Sequence, residues 1–98
     1  MSVRREIEVE ASPERVWEAL ATREGRERWL VEPERDIHVE VLEAPHRLVW
    51  WWGGEEQPAT RVEFLILAVP VGARVIVTES SPAFPLAMLA RSLAPVLA

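Results

Sequence analysis

The chain has 98 residues, a formal net charge of −5 and no cysteine. Its length predicts a single domain over residues 1–98, and a hydrophobic share of 49% supplies a globular core. The lack of cysteine excludes a disulfide framework, a thiolate metal site and a cysteine nucleophile. The negative charge repels phosphate and disfavours nucleic-acid binding. With no secretory signal and no apolar run of membrane length, the sequence predicts a cytoplasmic protein without a membrane span.

The first predicted elements are a strand followed by two short helices. Apolar and charged residues alternate over Val3–Glu10, which is typical of a strand with one solvated face. The run Ser12–Glu14 predicts a helix start, because serine caps free backbone N–H groups and proline suits the first helical position. Near Thr22 this helix ends, and a second short helix is predicted to carry Trp29 and Leu30.

A hairpin with three consecutive tryptophans is predicted next, with strands over 36–43 and 46–52. Successive side chains of a strand point to opposite faces, so Trp50 and Trp52 share one face and Trp51 lies on the other. A two-residue turn at Ala44-Pro45 would fix the register. In that register Glu43 pairs with His46, Val41 with Leu48, Val39 with Trp50 and Ile37 with Trp52.

The last third of the chain predicts a second hairpin and a helix. The hairpin runs over Thr60–Val69 and Gly72–Glu79 about a turn at Pro70-Val71, and leucines at helical spacing follow. Proline removes a helical hydrogen bond, so Pro95 should end the regular helix near Ala94. On the inner face of the hairpin, Val62, Phe64 and Ile66 are predicted to meet Val77, Val75 and Ala73.

Three stretches together resemble a known superfamily. They are Ile7–Leu20, Arg28–Leu30 and Val39–Trp50, in the order strand, two helices, meander and C-terminal helix. The chain is similar in this to the helix-grip (START/SRPBCC) superfamily, and most of all to the branch named for the activator of the heat-shock protein 90 ATPase. The resemblance implies an α+β fold, in which a curved antiparallel sheet is packed against the C-terminal helix.

One departure concerns the segment Val31–Arg35, which stands where members of that branch have two further strands. The predicted sheet therefore has about five strands, ordered first, fifth, fourth, third, second, in a shortened helix-grip domain. The resemblance also implies an apolar pocket between sheet and helix. Its predicted ligand-binding residues are Trp50, Trp52, Val62, Phe64, Val75, Val77, Glu79, Leu89 and Leu93.

The size of this pocket is left open by the sequence. Ligand pockets begin near ~300 Å³, and an empty apolar void of that size would cost about 7 kcal/mol. A loss of that size is comparable to the whole stability of a small domain, about 5–15 kcal/mol. Either the side chains collapse into a packed core, or the cavity is open to water, a ligand or a second subunit.

No catalytic group and no cofactor site emerge from the sequence. Asp36, His38 and Glu40 share one strand face and could hold a metal, but an outward strand face is ordinarily just polar. Histidine 46 is interpreted as a turn residue, and no glycine-rich phosphate loop is present. Glu79 either hydrogen-bonds a ligand at the pocket mouth or pairs with an arginine at the strand end.

Three functions follow from these observations. The first is a small non-catalytic domain that binds a hydrophobic small molecule in a reduced pocket. The alternative is a homodimeric or chaperone-associated interaction module without a ligand, favoured by the unprotected edge strand 36–43. An enzyme such as a polyketide cyclase of the same superfamily lacks any visible acid–base pair. The apolar residues of the reverse face that favour the dimer are Val49, Trp51, Leu65, Leu67 and Ile76.

Overall fold

Five strands form one antiparallel sheet in the computed structural model, which describes residues 2–30, 36–54, 57–80 and 86–93. The strand order β1-β5-β4-β3-β2 and the α+β class confirm the prediction. The segment 31–35 and the predicted helix end at Ala94 lie outside the described residues. The strands are β1 (Val3–Val9), β2 (Asp36–Glu43), β3 (Arg47–Gly54), β4 (Gln57–Val69) and β5 (Gly72–Glu79), and the helices are α1 (Pro13–Ala21), α2 (Arg23–Glu27) and α3 (Leu86–Ser92).

Helix α1 begins where the sequence predicted it. The Ser12 side chain accepts a hydrogen bond from the backbone N–H of Arg15 at 3.2 Å, and proline occupies the first helical position. Helix α2 is shorter than predicted, because it ends at Glu27 and leaves Trp29 in the turn that follows. The Trp29 indole nonetheless returns to α1, where its Nε1 donates to the backbone oxygen of Ala19 at 2.9 Å.

One threonine joins α1 to α2. The Thr22 hydroxyl donates to the Glu18 carbonyl oxygen at 2.7 Å and accepts from the Gly25 N–H at 2.9 Å, so it closes one helix and opens the next. Gly25 lies so close to α1 that a Cβ at this position would overlap the Glu18 carbonyl oxygen and lie 2.8 Å from the Ala19 Cα. The contact between α1 and α2 therefore requires glycine.

The register of the β2–β3 hairpin agrees with the prediction up to Val39 and differs from it after that residue. Val39 faces Trp50 as predicted, but a bulge at Glu40 then shifts the pairing, so that Val41 faces Val49 instead of Leu48. The turn contains three residues rather than two, and its Ala44-Pro45 peptide bond is cis. Because one extra residue reverses the direction of every later side chain, Leu42 rather than Val41 lies on the same sheet face as Trp50.

The β4–β5 hairpin turns at Pro70-Val71 as predicted, and its register is offset from the predicted one by two residues. Phe64 faces Val77 rather than Val75, and Val62 faces Glu79. An even offset keeps every side chain on its predicted face. The turn closes with Gly72 at a φ of +147°, where an added Cβ would press on the backbone of Ala11.

The core lies on one face of the sheet, here called the inner face, which carries Trp50, Phe64 and Val75. Helix α1 packs on it through Val16 and Leu20, and α3 contributes buried side chains to the same cluster. The opposite, outer face is mostly polar, although Val49 within it is fully buried. The fold thus positions α1 and α3 on the same side of the sheet as Trp50 and Trp52.

Candidate functional site

The predicted ligand-binding residues all lie in the core. None is more than 4% exposed, and their apolar members pack in one cluster with α1. Their predicted location between the sheet and the C-terminal helix agrees with the structure, whereas contact with a ligand stays a prediction. The residues are Trp50, Trp52, Val62, Phe64, Val75, Val77, Glu79, Leu89 and Leu93.

Trp50 is the centre of this cluster. Its ring centroid lies 4.7 Å from that of Phe64, with the ring planes at 63°, an edge-to-face arrangement that contributes about 0.5–1.5 kcal/mol beyond burial. The Arg26 guanidinium lies 5.8 Å from the Trp50 ring and donates to the Leu20 carbonyl oxygen at 2.9 Å. Burial lowers the pKa of Arg26 below its ordinary value. The helix α2 is thereby tied to the central indole.

Glu79 is a buried carboxylate on the inner face. It is fully buried at the end of β5 and accepts a hydrogen bond from the guanidinium of Arg5 on β1, whose side chain is 36% exposed. Of the two roles considered for Glu79, pairing with an arginine is therefore present in the structure. A charge pair of this kind brings polarity into an otherwise apolar face.

A cleft opens beside the core, where the end of α2 meets the end of α3. It has two adjoining parts of about 240 and 330 Å³, which share Arg28, Trp29 and Ser92 as lining residues. Trp29 and Leu93 are buried members of the core cluster, so the floor of the cleft is continuous with the apolar interior. The smaller part is also lined by Arg15, Ala19, Gly25 and Leu93, and the larger part by Arg91.

Only part of this cleft could be predicted from the sequence. Leu93 is a predicted ligand-binding residue and Trp29 is predicted to lie on the second short helix, whereas neither Arg28 nor Arg91 is predicted to belong to a site. These two arginines are far apart in the chain and meet only through the packing of α3 beside α2. One signal was available, since Arg91 is the only charged residue from Pro82 to the C-terminus.

The outer face carries a polar group around Trp51. The Trp51 Nε1 donates to a carboxylate oxygen of Glu40 at 3.1 Å, and Arg61 Nη2 donates to the other oxygen at 2.9 Å. Two hydrogen bonds lower the pKa of Glu40, and the one from Trp51 has a larger effect than the one from Arg61. Glu40 is therefore held by an indole and a guanidinium, which compete with any metal. Within the described ranges, no group of three His, Asp or Glu side chains could hold an ion.

His46 is a turn residue, as interpreted from the sequence, although the turn has three residues rather than the predicted two. Its Nδ1 lies 3.1 Å from the Ile66 carbonyl oxygen, and its backbone N–H donates to the Glu43 carbonyl oxygen at 2.9 Å. A structural role in attaching the turn to β4 accounts for these contacts.

A five-stranded antiparallel sheet with two short helices after β1 and a C-terminal helix in the core defines the α+β helix-grip fold. Among solved structures, protein MLL2253 from Mesorhizobium loti is similar at a TM-score of 0.70 and 19% identity, covering 95% of this chain and 83% of that chain. The solution structure of the Aha1 dimer from Colwellia psychrerythraea is similar at a TM-score of 0.69 and 20% identity, with 94% and 87% covered. Protein CV1439 from Chromobacterium violaceum has a TM-score of 0.69 at 14% identity, with 97% and 99% covered.

These similarities confirm the helix-grip fold that was predicted from the resemblance of the sequence. The similar structures include that of Aha1. The sequence itself matches no protein-family model and no curated protein. Within the described part of the chain, no helix has the length and apolar character needed to cross a membrane.

Proposed function

We propose that this chain is a non-catalytic helix-grip domain that binds an apolar small molecule in a cleft at the end of α3, beside the core between α3 and the sheet. The observation that carries the proposal is the cleft between α2 and α3, whose floor is formed by Trp29 and Leu93. Trp29 and Leu93 belong to the same buried cluster as Leu89 and Trp50, which are among the predicted ligand-binding residues. The reduced pocket of the sequence prediction is in this view a cleft that adjoins the buried core.

The size of the cleft limits what it can accept. Its parts, about 240 and 330 Å³, lie near the lower end of the ~300–1,000 Å³ range of small-molecule sites. Each methylene group buried there contributes about 0.8 kcal/mol, so a short alkyl chain offers several kcal/mol against the cost of association. A slender single-chain ligand fits these limits better than a sterol-sized one.

We expect a ten-carbon probe, decanoate or decan-1-ol, to bind to the wild-type protein and to the variant Leu67→Trp. Leu93→Trp, which fills the cleft, should weaken the affinity at least about tenfold, equal to about 1.4 kcal/mol. Leu67 is the matched control because it lies on the outer face and is 42% exposed. Calorimetric titration measures the affinities, and native mass spectrometry of freshly purified protein looks for a ligand already bound. Failure of both probes to bind would reject the proposal.

A second candidate function, a homodimeric interaction module, is favoured by the edge strand β2. Val39 and Leu42 project from it on the inner side and are 41% and 62% exposed. A similar structure, that of Aha1 from Colwellia psychrerythraea, was solved as a dimer. The bulge at Glu40 interrupts the pairing of β2, and bulges discourage edge-to-edge strand addition. A dimer would therefore form through side chains of this edge and not through a continuous sheet.

If the dimer forms in this way, light scattering at micromolar concentration should give about twice the chain mass of 11.1 kDa. Leu42→Glu places a charge on the apolar edge and should return the mass to that of one chain. Val71→Glu is the matched control, because Val71 is 54% exposed in the β4–β5 turn, away from β2. A single-chain mass for the wild-type protein would reject this candidate and leave the ligand proposal untouched.

A further inference from the structure

We infer that the ligand of the α2–α3 cleft is an anionic single-chain amphiphile, whose carboxylate or other acidic headgroup is bound by Arg28 and Arg91. The inference rests on the proposed function and adds the chemical class of the ligand. It follows from the distribution of charge around the cleft and from the apolar side chains that lie beside its arginines.

The charge at the cleft is opposite to that of the whole chain. The protein carries a formal net charge of −5, so its overall field repels anions. Among the described residues, those that line the two parts of the cleft nevertheless include Arg15, Arg28 and Arg91 and no acidic residue. The Glu18 carboxylate accepts from Arg28 and lies 3.7 Å from the Arg15 guanidinium. One carboxylate therefore serves two guanidiniums, and a positive excess remains.

Arg91 supplies the clearest part of this excess. It is exposed on α3, and within the described ranges no carboxylate lies within ion-pair distance of it. It lines the larger part of the cleft together with Arg28, and the Ser92 side chain there already donates to the Leu89 carbonyl oxygen at 2.8 Å. Guanidinium groups bind carboxylate and phosphate oxygens through paired N–H donors. An acidic headgroup between Arg28 and Arg91 would therefore use donors that the protein leaves available at Arg91.

Apolar side chains lie beside these arginines. Ala19, Trp29 and Leu93 line the smaller part of the cleft and are each at most 8% exposed, and Trp29 lines the larger part as well. Arg28 borders both parts, so guanidinium groups and buried apolar side chains are neighbours throughout the cleft. This combination matches a molecule with a charged head and a hydrocarbon tail, and the modest volume matches one chain better than two.

The test compares three probes with the same ten-carbon chain: decanoate, decan-1-ol and decyltrimethylammonium. We expect decanoate to bind at least about tenfold more tightly than decan-1-ol, and the cation to bind least. Arg91→Gln should weaken the binding of decanoate about tenfold, equal to about 1.4 kcal/mol, and leave the binding of decan-1-ol unchanged. Arg23→Gln is the matched control, because Arg23 belongs to α2, is 87% exposed and pairs with Glu27 away from the cleft.

The outcomes separate the two proposals. Equal binding of decanoate and decan-1-ol, or an unchanged decanoate affinity in Arg91→Gln, would overturn the anionic headgroup and keep the apolar site. Absence of binding by all three probes would overturn both. Vesicles of phosphatidylglycerol form a further arm, since adsorption to them without binding of free decanoate would assign the arginines to a lipid surface and overturn the single-chain ligand. Circular dichroism verifies that each variant is folded.

Discussion

Replacement of Trp50 by alanine is expected to lower the free energy of unfolding by about 3–5 kcal/mol, the range for large aromatic residues in cores. Trp50 is fully buried, contacts the Phe64 ring edge-to-face and lies under the Arg26 guanidinium. The substitution removes these contacts and leaves a cavity that α3 and the sheet cannot close without moving. The free energy of unfolding of a small domain is about 5–15 kcal/mol in total, so the variant would lose a large part of its stability.

The neighbouring tryptophan provides the control. Trp51 has the same side chain one position later but points to the outer face, where it is 37% exposed and bonded to Glu40. Trp51→Ala should cost about 1 kcal/mol or less. Urea unfolding, monitored by far-ultraviolet circular dichroism, compares the stabilities of the two variants without depending on indole fluorescence. If the two variants lose equal stability, Trp50 is not the centre of the core.

Gly25→Ala is expected to lower the free energy of unfolding by about 3 kcal/mol, although helix propensity alone predicts a gain of about 1 kcal/mol for this change. The two estimates differ in sign because Gly25 lies against the backbone of α1. An alanine Cβ would overlap the Glu18 carbonyl oxygen and approach the Ala19 Cα to 2.8 Å, and neither atom belongs to a flexible side chain. Helix α2 would have to move away from α1.

The control for Gly25 is the exposed residue before it. Glu24→Ala adds no atom near α1 and should change stability by at most about 0.5 kcal/mol. Thermal unfolding of the three proteins under one condition measures the difference. A Gly25→Ala variant as stable as the wild type would contradict the close approach of the two helices.

Much of the fold could be predicted because its signals are local. Ser12 and Pro13 mark the start of α1 by their own chemistry, and the Pro70-Val71 turn sets the β4–β5 hairpin. The β2–β3 register could be predicted only up to Val39. A bulge depends on how an edge strand accommodates its neighbours, and the alternation of apolar residues around Glu40 does not reveal one extra residue.

The site was less predictable for a different reason. Alternation correctly placed Trp50 and Phe64 on the inner face, because strand parity is a property of the chain alone. Whether those side chains fill the space or surround a cavity depends on volumes in three dimensions, which parity does not contain. The approach of Arg91 to Arg28 depends on where α3 docks, and the sequence around either residue carries no sign of the other.

The hydrogen bonds of the Thr22 hydroxyl determine which helix would move when a ligand enters. Because this hydroxyl bonds to Glu18 on one side and Gly25 on the other, the two helices behave as a single fixed wall. Helix α3, on the opposite side of the cleft, is then the element that moves when a ligand enters the interior. The rate of ligand exchange should therefore follow the rate at which one short segment, Leu86–Ser92, detaches, while α1 and α2 stay in place.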